Sequence, residues 1–198
     1  MKNILKFSLV LVVALTSMNL HASTIDFTLN VKKEQGKMVT FALNMTNKMD
    51  LSIYDANDKL IYSEIVDSKK NIDRTYDLKA LPEGTYFLQA ESEMKISRYK
   101  ISVVGATATL SENAISEIFK PVVFVDKYGM VALNILNIDR SPVNIKILDD
   151  QDSEVYNSAM LTDQTINKIF DVKNIKNDIY TFVITYNKKT FTKTFNQR

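Results

Sequence analysis

The sequence predicts an all-β chain in which two tandem, seven-stranded, immunoglobulin-like β-sandwich domains follow an N-terminal signal peptide. Three observations support this prediction. Apolar and polar residues alternate along most of the chain, which is the pattern of half-buried strands. Turn-forming residues interrupt the alternation about every ten residues, as a sandwich of short strands requires. The pattern of the first half then returns in the second half, so one domain fold accounts for both.

The N-terminal residues have the organisation of a secretory signal peptide. Lys2 and Lys6 form a basic region, residues 7–15 form a short apolar region, and Ala22 supplies a small residue before a cleavage point. The apolar region is too short to cross a bilayer as a stable helix. We therefore predict a signal peptide at residues 1–22 and no membrane span after its removal, with an uncleaved anchor as the alternative. A lipid anchor on cysteine is excluded because the chain has no cysteine.

The first domain is expected at residues 24–104. Ile25, Phe27, Leu29 and Val31 alternate with polar residues and begin the first strand, and a turn around Gly36 ends it. The later strands are expected at residues 39–45, 51–53, 60–66, 72–78, 85–90 and 96–104.

The second domain is expected from an internal repeat. Residues 51–62 align with residues 145–156 at an offset of 94, and residues 76–79 align with residues 170–173 at the same offset. Upstream of these segments the offset falls to 92, so two extra residues are expected in a loop around Ser141-Pro142.

The boundary between the domains is expected where small residues, threonine and serine are frequent. We predict a linker at residues 105–113 and the second domain at residues 114–198. Residues 112–119 fit a strand, a helical turn or the linker, so their structure stays open at this point.

One pair of tyrosines has a spacing that predicts a structural role. Tyr86 and Tyr180 are equivalent in the repeat, and each follows an apolar residue, Leu81 or Ile175, by five positions. This spacing at the start of a strand is typical of a tyrosine corner, in which the ring is buried and the hydroxyl bonds an upstream backbone group. All four residues are therefore predicted to be structural.

The composition excludes several classes of chemistry. The single histidine, His21, lies in the predicted signal peptide, and cysteine and tryptophan are absent. Histidine-dependent triads, thiol catalysis, and the usual zinc and haem sites need the missing residue types. We predict that the protein is not an enzyme, with no catalytic residues, no cofactor and no metal ligands.

Two weaker signals for ligands have structural alternatives. Asp149, Asp150 and Asp152 could supply oxygen ligands for calcium, but a solvated hairpin turn is the favoured explanation, because the repeat places Asp55 and Asp58 in the matching turn. A sugar could stack on strand aromatics, although such residues at alternating positions are more often core or cross-strand pairs. These aromatics are Tyr54, Tyr62, Tyr99, Tyr128 and Tyr186.

The charge balance argues against polyanionic partners. The chain has 25 basic and 23 acidic residues. Removal of Lys2 and Lys6 with the signal peptide would leave 23 basic residues, so the exported chain would be neutral. Neither predicted domain has the basic excess that binding to a phosphate backbone needs. Nucleic acid and an anionic membrane surface are therefore not expected as partners.

Several segments of the first domain resemble a known bacterial family. They are residues 51–62, residues 76–88, which read Tyr-Asp-Leu-Lys-Ala-Leu-Pro-Glu-Gly-Thr-Tyr-Phe-Leu, and the last strand from Lys95. Together they resemble the C-terminal sorting domain of the type IX secretion system of Bacteroidota. The best match is residues 51–104; residues 145–195 form a degenerate copy in which Lys176 and Asp178 replace Pro82 and Gly84. The resemblance implies an immunoglobulin-like sandwich and an exported protein.

These observations together lead to one functional hypothesis and two alternatives. We expect an exported structural or interaction protein in the periplasm, at the cell surface or outside the cell. Its partner is expected to be another envelope or extracellular protein, bound through open sheet edges. The alternatives are a carbohydrate-binding module and a secretion-linked protein, either a sorting domain or a chaperone.

Overall fold

The computed structural model describes residues 26–45, 47–67, 71–126, 130–172 and 179–196. This part of the chain forms sixteen β-strands and contains no helix. All sheets are antiparallel, so the predicted all-β class is confirmed. The predicted signal peptide, residues 1–22, lies outside the described residues. In the described ranges, no helix is long and apolar enough to cross a membrane.

The first strand group, β1–β9, forms two sheets. One sheet has the order β1-β2-β5, and the other has the order β4-β3-β6-β7-β8, with β9 also paired to β7. The strands are β1 (Phe27–Gln35), β2 (Met38–Met45), β3 (Met49–Tyr54), β4 (Leu60–Val66), β5 (Ile72–Asp77), β6 (Gly84–Glu91), β7 (Lys95–Val104), β8 (Thr107–Leu110) and β9 (Ser116–Phe119).

The second strand group, β10–β16, forms two further sheets. Their orders are β10-β11-β14 and β13-β12-β15-β16, which match the orders β1-β2-β5 and β4-β3-β6-β7 of the first group. The strands are β10 (Val122–Val125), β11 (Val131–Leu136), β12 (Asn144–Leu148), β13 (Glu154–Asn157), β14 (Thr165–Phe170), β15 (Ile179–Tyr186) and β16 (Lys189–Asn196).

Each strand group has its own apolar core, built from alternate residues of facing strands. In β2, Val39, Phe41 and Leu43 point inward, and β11 does the same with Val131, Leu133 and Ile135. The first core draws its fully buried residues from positions 27–110, and the second draws them from positions 131–186. Burial of this apolar surface supplies the main stabilisation of a chain that has no disulfide.

Residues 105–113, which the composition predicts to be a linker, contain β8. Gly105, at φ 54°, makes a tight turn after β7, and β8 returns along the second half of β7. Ala108 and Leu110 are buried in the first core, while Thr107 and Thr109 are exposed. The prediction missed this strand because threonine and alanine are as frequent in linkers as in short edge strands.

Residues 116–119, whose structure the sequence leaves open, form β9. This strand pairs with the first half of β7, so its backbone belongs to the first strand group, although the second domain was expected to begin at residue 114. The side chain of Ile118 in β9, by contrast, packs against the second core. Glu117 of β9 accepts hydrogen bonds from Lys95 Nζ at 2.8 Å and from the buried Ser97 Oγ at 2.9 Å. β9 therefore contacts both strand groups.

The electrostatics of Glu117 reinforce this pairing. Partial burial raises the pKa of the Glu117 carboxyl, but the hydrogen bonds from Lys95 and Ser97 and the charge of Lys95 outweigh it, so the pKa is lowered overall. The carboxylate is therefore ionised at neutral pH and holds β9 on β7.

We predict that Leu110→Ala destabilises the protein by about 2–5 kcal/mol, because it leaves a cavity in the first core. Chemical denaturation monitored by circular dichroism measures this loss. Thr109→Ala, on the exposed face of the same strand, is the control and should change the unfolding free energy by less than about 0.5 kcal/mol. Equal stability of the two variants would show that β8 does not contribute to the core.

Candidate interaction surface

The first of the predicted tyrosines lies at the start of β6 with its ring in the first core. Tyr86 is 8% exposed, and its Oη donates a hydrogen bond of 2.9 Å to the carbonyl oxygen of Pro82, four residues upstream. Leu81 packs half-buried against the same core, and its carbonyl oxygen accepts a hydrogen bond from Lys37 Nζ at 3.0 Å. These contacts hold the loop between β5 and β6 against the end of the sandwich.

The equivalent tyrosine in the second strand group is also buried. Tyr180, the second residue of β15, is 1% exposed and belongs to the second core. Ile175, the apolar residue paired with Tyr180 in the prediction, lies outside the described residues, as do all of residues 173–178.

The acidic turns use their first carboxylate to close the hairpin. Asp149 Oδ1 accepts the amide hydrogens of Gln151 and Ser153 at 2.9 and 2.8 Å. Asp55 does the same with residues 57 and 59 in the matching turn. Asp58 and Asp152 both have a positive φ, at 62° and 57°, so the two turns share one backbone conformation. Within the described ranges, no three His, Cys, Asp or Glu residues are close enough together to hold a metal ion.

The five tyrosines considered for sugar stacking do not form one exposed row. Tyr99 and Tyr186 are buried, and burial raises the pKa of each hydroxyl to about 12. Tyr62 is exposed, Tyr54 is half-buried, and Tyr128 lies outside the described residues. The two buried tyrosines support the core interpretation of these aromatics.

A polar cleft of about 380 Å³ lies where the two strand groups meet. Arg98 of β7 lines it, stacked at 4.0 Å over the ring of Phe87 and bonded to the Asp58 carboxylate. Lys188, in the turn between β15 and β16, and Lys189, the first residue of β16, line it from the second strand group. The hydrogen bond from Arg98, followed by its charge, lowers the pKa of Asp58 below its ordinary value.

A second cleft at this junction, of about 420 Å³, is mainly apolar. Phe27 and Met94 line it from the first strand group, and Val122 and Leu136 from the second. Sequence reasoning missed both clefts, since each combines residues that are far apart in the chain.

The most exposed apolar segment of the first strand group is β4, at one end of its sheet. In the described part of the chain it pairs only with β3, so its other edge is open. Leu60, Ile61, Tyr62 and Ile65 are between 43% and 60% exposed. An open strand edge of this composition is of the kind to which another strand can add.

The inward side of β4 is held in place by β5. Tyr76 Oη donates a hydrogen bond of 2.8 Å to Glu64, and the rings of Tyr62 and Tyr76 meet edge to face at 5.7 Å. Burial, followed by the hydrogen bond to Glu64, raises the pKa of Tyr76 far above its ordinary value, so the hydroxyl remains a donor. These contacts with Tyr76 fix the position of β4 relative to β5.

The corresponding strand of the second group, β13, is shorter. Val155 and Tyr156 are equivalent to Ile61 and Tyr62 at the offset of 94 and are also exposed. Tyr156 contacts Phe170 just as Tyr62 contacts Tyr76. β13 spans only four residues, whereas β4 spans seven.

Comparison with protein families gives a match that covers most of the first strand group. Residues 19–104 match the secretion system C-terminal sorting domain. The match includes β1–β7 and the segments on which the sequence resemblance rests, so that resemblance is confirmed. A sorting domain of this kind implies export toward the cell surface.

Comparison with other proteins gives only distant similarities. No curated protein matches the chain. The chain is similar to the BSP domain of a biofilm-associated protein, with 13% identity, a TM-score of 0.28 and coverage of 84% of this chain and 29% of that one. It is also similar to the FN1–FN3 domains of chicken CNTN1, with 10% identity, a TM-score of 0.29 and coverage of 86% of this chain. The chain spans 65% of that structure.

We predict that Tyr86→Phe lowers the unfolding free energy by about 1–3 kcal/mol, because the carbonyl of Pro82 loses its donor. Thermal or chemical unfolding measures the change. Tyr62→Phe removes a hydroxyl from an exposed ring and should leave the midpoint nearly unchanged. An unchanged midpoint in Tyr86→Phe would contradict the tyrosine corner.

We also predict that Arg98→Gln raises the pKa of Asp58 toward its ordinary value of 3.8, since the main cause of the lowered pKa is removed. Any stability that this pair contributes is present at neutral pH and is lost as the pH falls through the lowered pKa. NMR titration of the carboxyl carbons reports both effects. Asp77, whose pKa is lowered chiefly by the backbone amide of Lys79, is the internal control and should not move.

Proposed function

We propose that this chain is an exported, non-enzymatic protein of the bacterial envelope or surface, built from two tandem immunoglobulin-like domains that bind another protein through an open sheet edge. The observation that carries the proposal is the match of residues 19–104 to a secretion sorting domain. The open, apolar β4 edge lies within that matched region.

The sheet orders support two domains of one fold. The order β1-β2-β5 recurs as β10-β11-β14, and β4-β3-β6-β7 recurs as β13-β12-β15-β16. The two cores share no fully buried residue. The domain boundary that best fits these facts lies just after β9, near Lys120 and Pro121. Both domains come after a cleaved signal peptide in the chain.

The residue inventory supports a binding role rather than a catalytic one. The sequence after residue 21 has no histidine and the whole chain has no cysteine. Of the three carboxylates that sequence reasoning singled out, that of Asp149 closes a hairpin through backbone amides. A protein partner is favoured over a sugar because two of the five candidate stacking tyrosines, Tyr99 and Tyr186, are in the cores.

Cell fractionation tests the proposal. In a Bacteroidota strain with a type IX secretion system, we expect the epitope-tagged full chain at the surface or in the medium. In an otherwise identical strain without the secretion channel, we expect it to accumulate in the periplasm. A periplasmic protein that carries an ordinary signal peptide is the control and should not change. Retention in the cytoplasm, or the same distribution in both strains, would contradict the proposal.

A further inference from the structure

The sequence of β4 is nearly symmetric about its central residue. β4 reads Leu60-Ile-Tyr-Ser-Glu-Ile-Val66. Around Ser63, the isoleucines at positions 61 and 65 are equivalent, and the apolar residues Leu60 and Val66 are equivalent at the ends. The remaining pair is Tyr62 and Glu64, a hydroxyl donor and a carboxylate acceptor.

The open edge of β4 has few of the features that normally prevent strand pairing, and Glu64 is its single charged side chain. It contains no proline, no glycine and no lysine. Its register with β3 is continuous from Val66 to Tyr62, and the single irregularity is at Ile61, which lies between the paired residues Tyr62 and Leu60. The opposite end of the same sheet is different, because β8 and β9 cover the edge of β7 there. Edge strands are usually interrupted or charged to avoid association.

We propose that β4 pairs with β4 of a second copy of this chain, antiparallel and around a two-fold axis through Ser63. Such an axis is perpendicular to the sheet, so residues that are opposite one another in the two strands have their side chains on the same face. Because side chains alternate between the faces along a strand, two opposed residues must be an even number of positions apart in the sequence. All three pairs about Ser63 meet this condition. The pairing joins the two sheets into one.

The side chains of this ladder are complementary. On the outward face, each Ile61 lies opposite Ile65 of the second copy, which covers apolar side chains that are 43% and 60% exposed in the single chain. On the inward face, each Glu64 lies opposite a tyrosine hydroxyl rather than another carboxylate. No like charges are opposed, which is the electrostatic condition for a self-complementary strand.

The same geometry explains why a second copy is a better occupant than an unrelated strand. A partner strand of arbitrary sequence need not place an acceptor opposite Tyr62 or keep a second carboxylate away from Glu64, whereas β4 does both by its own symmetry. β13 has only four residues and offers a shorter ladder. Pairing through one strand buries less than the roughly 1,200 Å² of stable complexes, so we expect a weak dimer with a dissociation constant in about the micromolar range.

Sedimentation equilibrium of the full exported chain tests the dimer. We expect the average mass to rise from monomer to dimer with concentration. Ile65→Lys should weaken association at least about tenfold, because a lysine would face the apolar Ile61 of the second copy. Ile169→Lys is the matched control: Ile169 is 70% exposed on a strand of the second group, and its replacement should leave association unchanged. Far-UV circular dichroism checks that both variants fold.

Disulfide cross-linking tests the register. The natural chain has no cysteine, so each variant carries a single thiol. Ser63→Cys should form a disulfide dimer on mild oxidation, because the two-fold axis brings the two positions together. Ile61→Cys and Ile65→Cys should each cross-link poorly alone but efficiently when the two variants are mixed.

Three results would overturn the inference. They are a monomer at every concentration, a dimer that Ile169→Lys weakens as much as Ile65→Lys, and equal cross-linking of all the thiol variants. Capture of a different protein by a chain that stays monomeric would likewise show that β4 serves another partner. The fractionation experiment measures export and does not depend on dimerisation, so failure of the dimer leaves the proposed function standing.

Discussion

The length of β7 is the constraint on which the arrangement of the two strand groups depends. β7 has ten residues and pairs with β6 from Ile96 to Val103 on one side, while two short strands, β8 and β9, share its other side. β8 closes the end of the first core, and β9 carries the chain toward the second. One continuous strand thus supplies the backbone donors and acceptors that both segments need.

This arrangement makes the two ends of the large sheet unequal. At the β7 end, the edge is covered and Glu117 is held by Lys95 and Ser97. At the β4 end, the edge is open, and Tyr76 of the facing sheet donates a hydrogen bond to Glu64. The β4 end therefore has the longer edge strand, of seven residues, whereas β8 and β9 have four residues each. This asymmetry is why the proposed interaction is placed at β4.

Much of the fold could be predicted because alternation depends on local sequence. Val39, Phe41 and Leu43 are apolar at every second position, and they are the residues that β2 buries. β8 and β9 could not be predicted in this way, because runs of four residues with threonine or serine carry too little apolar signal. Tyr86 was singled out by its spacing alone. The open β4 edge and the junction clefts could not be, since they depend on which strands lie beside one another.

The sequence by itself determined the strand pattern, the missing catalytic residue types, and the resemblance to a sorting domain that the family comparison confirms. Only the tertiary structure decided that β8 and β9 complete the sheet of β4, β3, β6 and β7. It also decided that β4, in the described part of the chain, has a neighbour on one side alone. The reason is physical. Side-chain alternation is fixed within a strand, whereas the occupancy of a strand's two edges depends on segments far away in the chain.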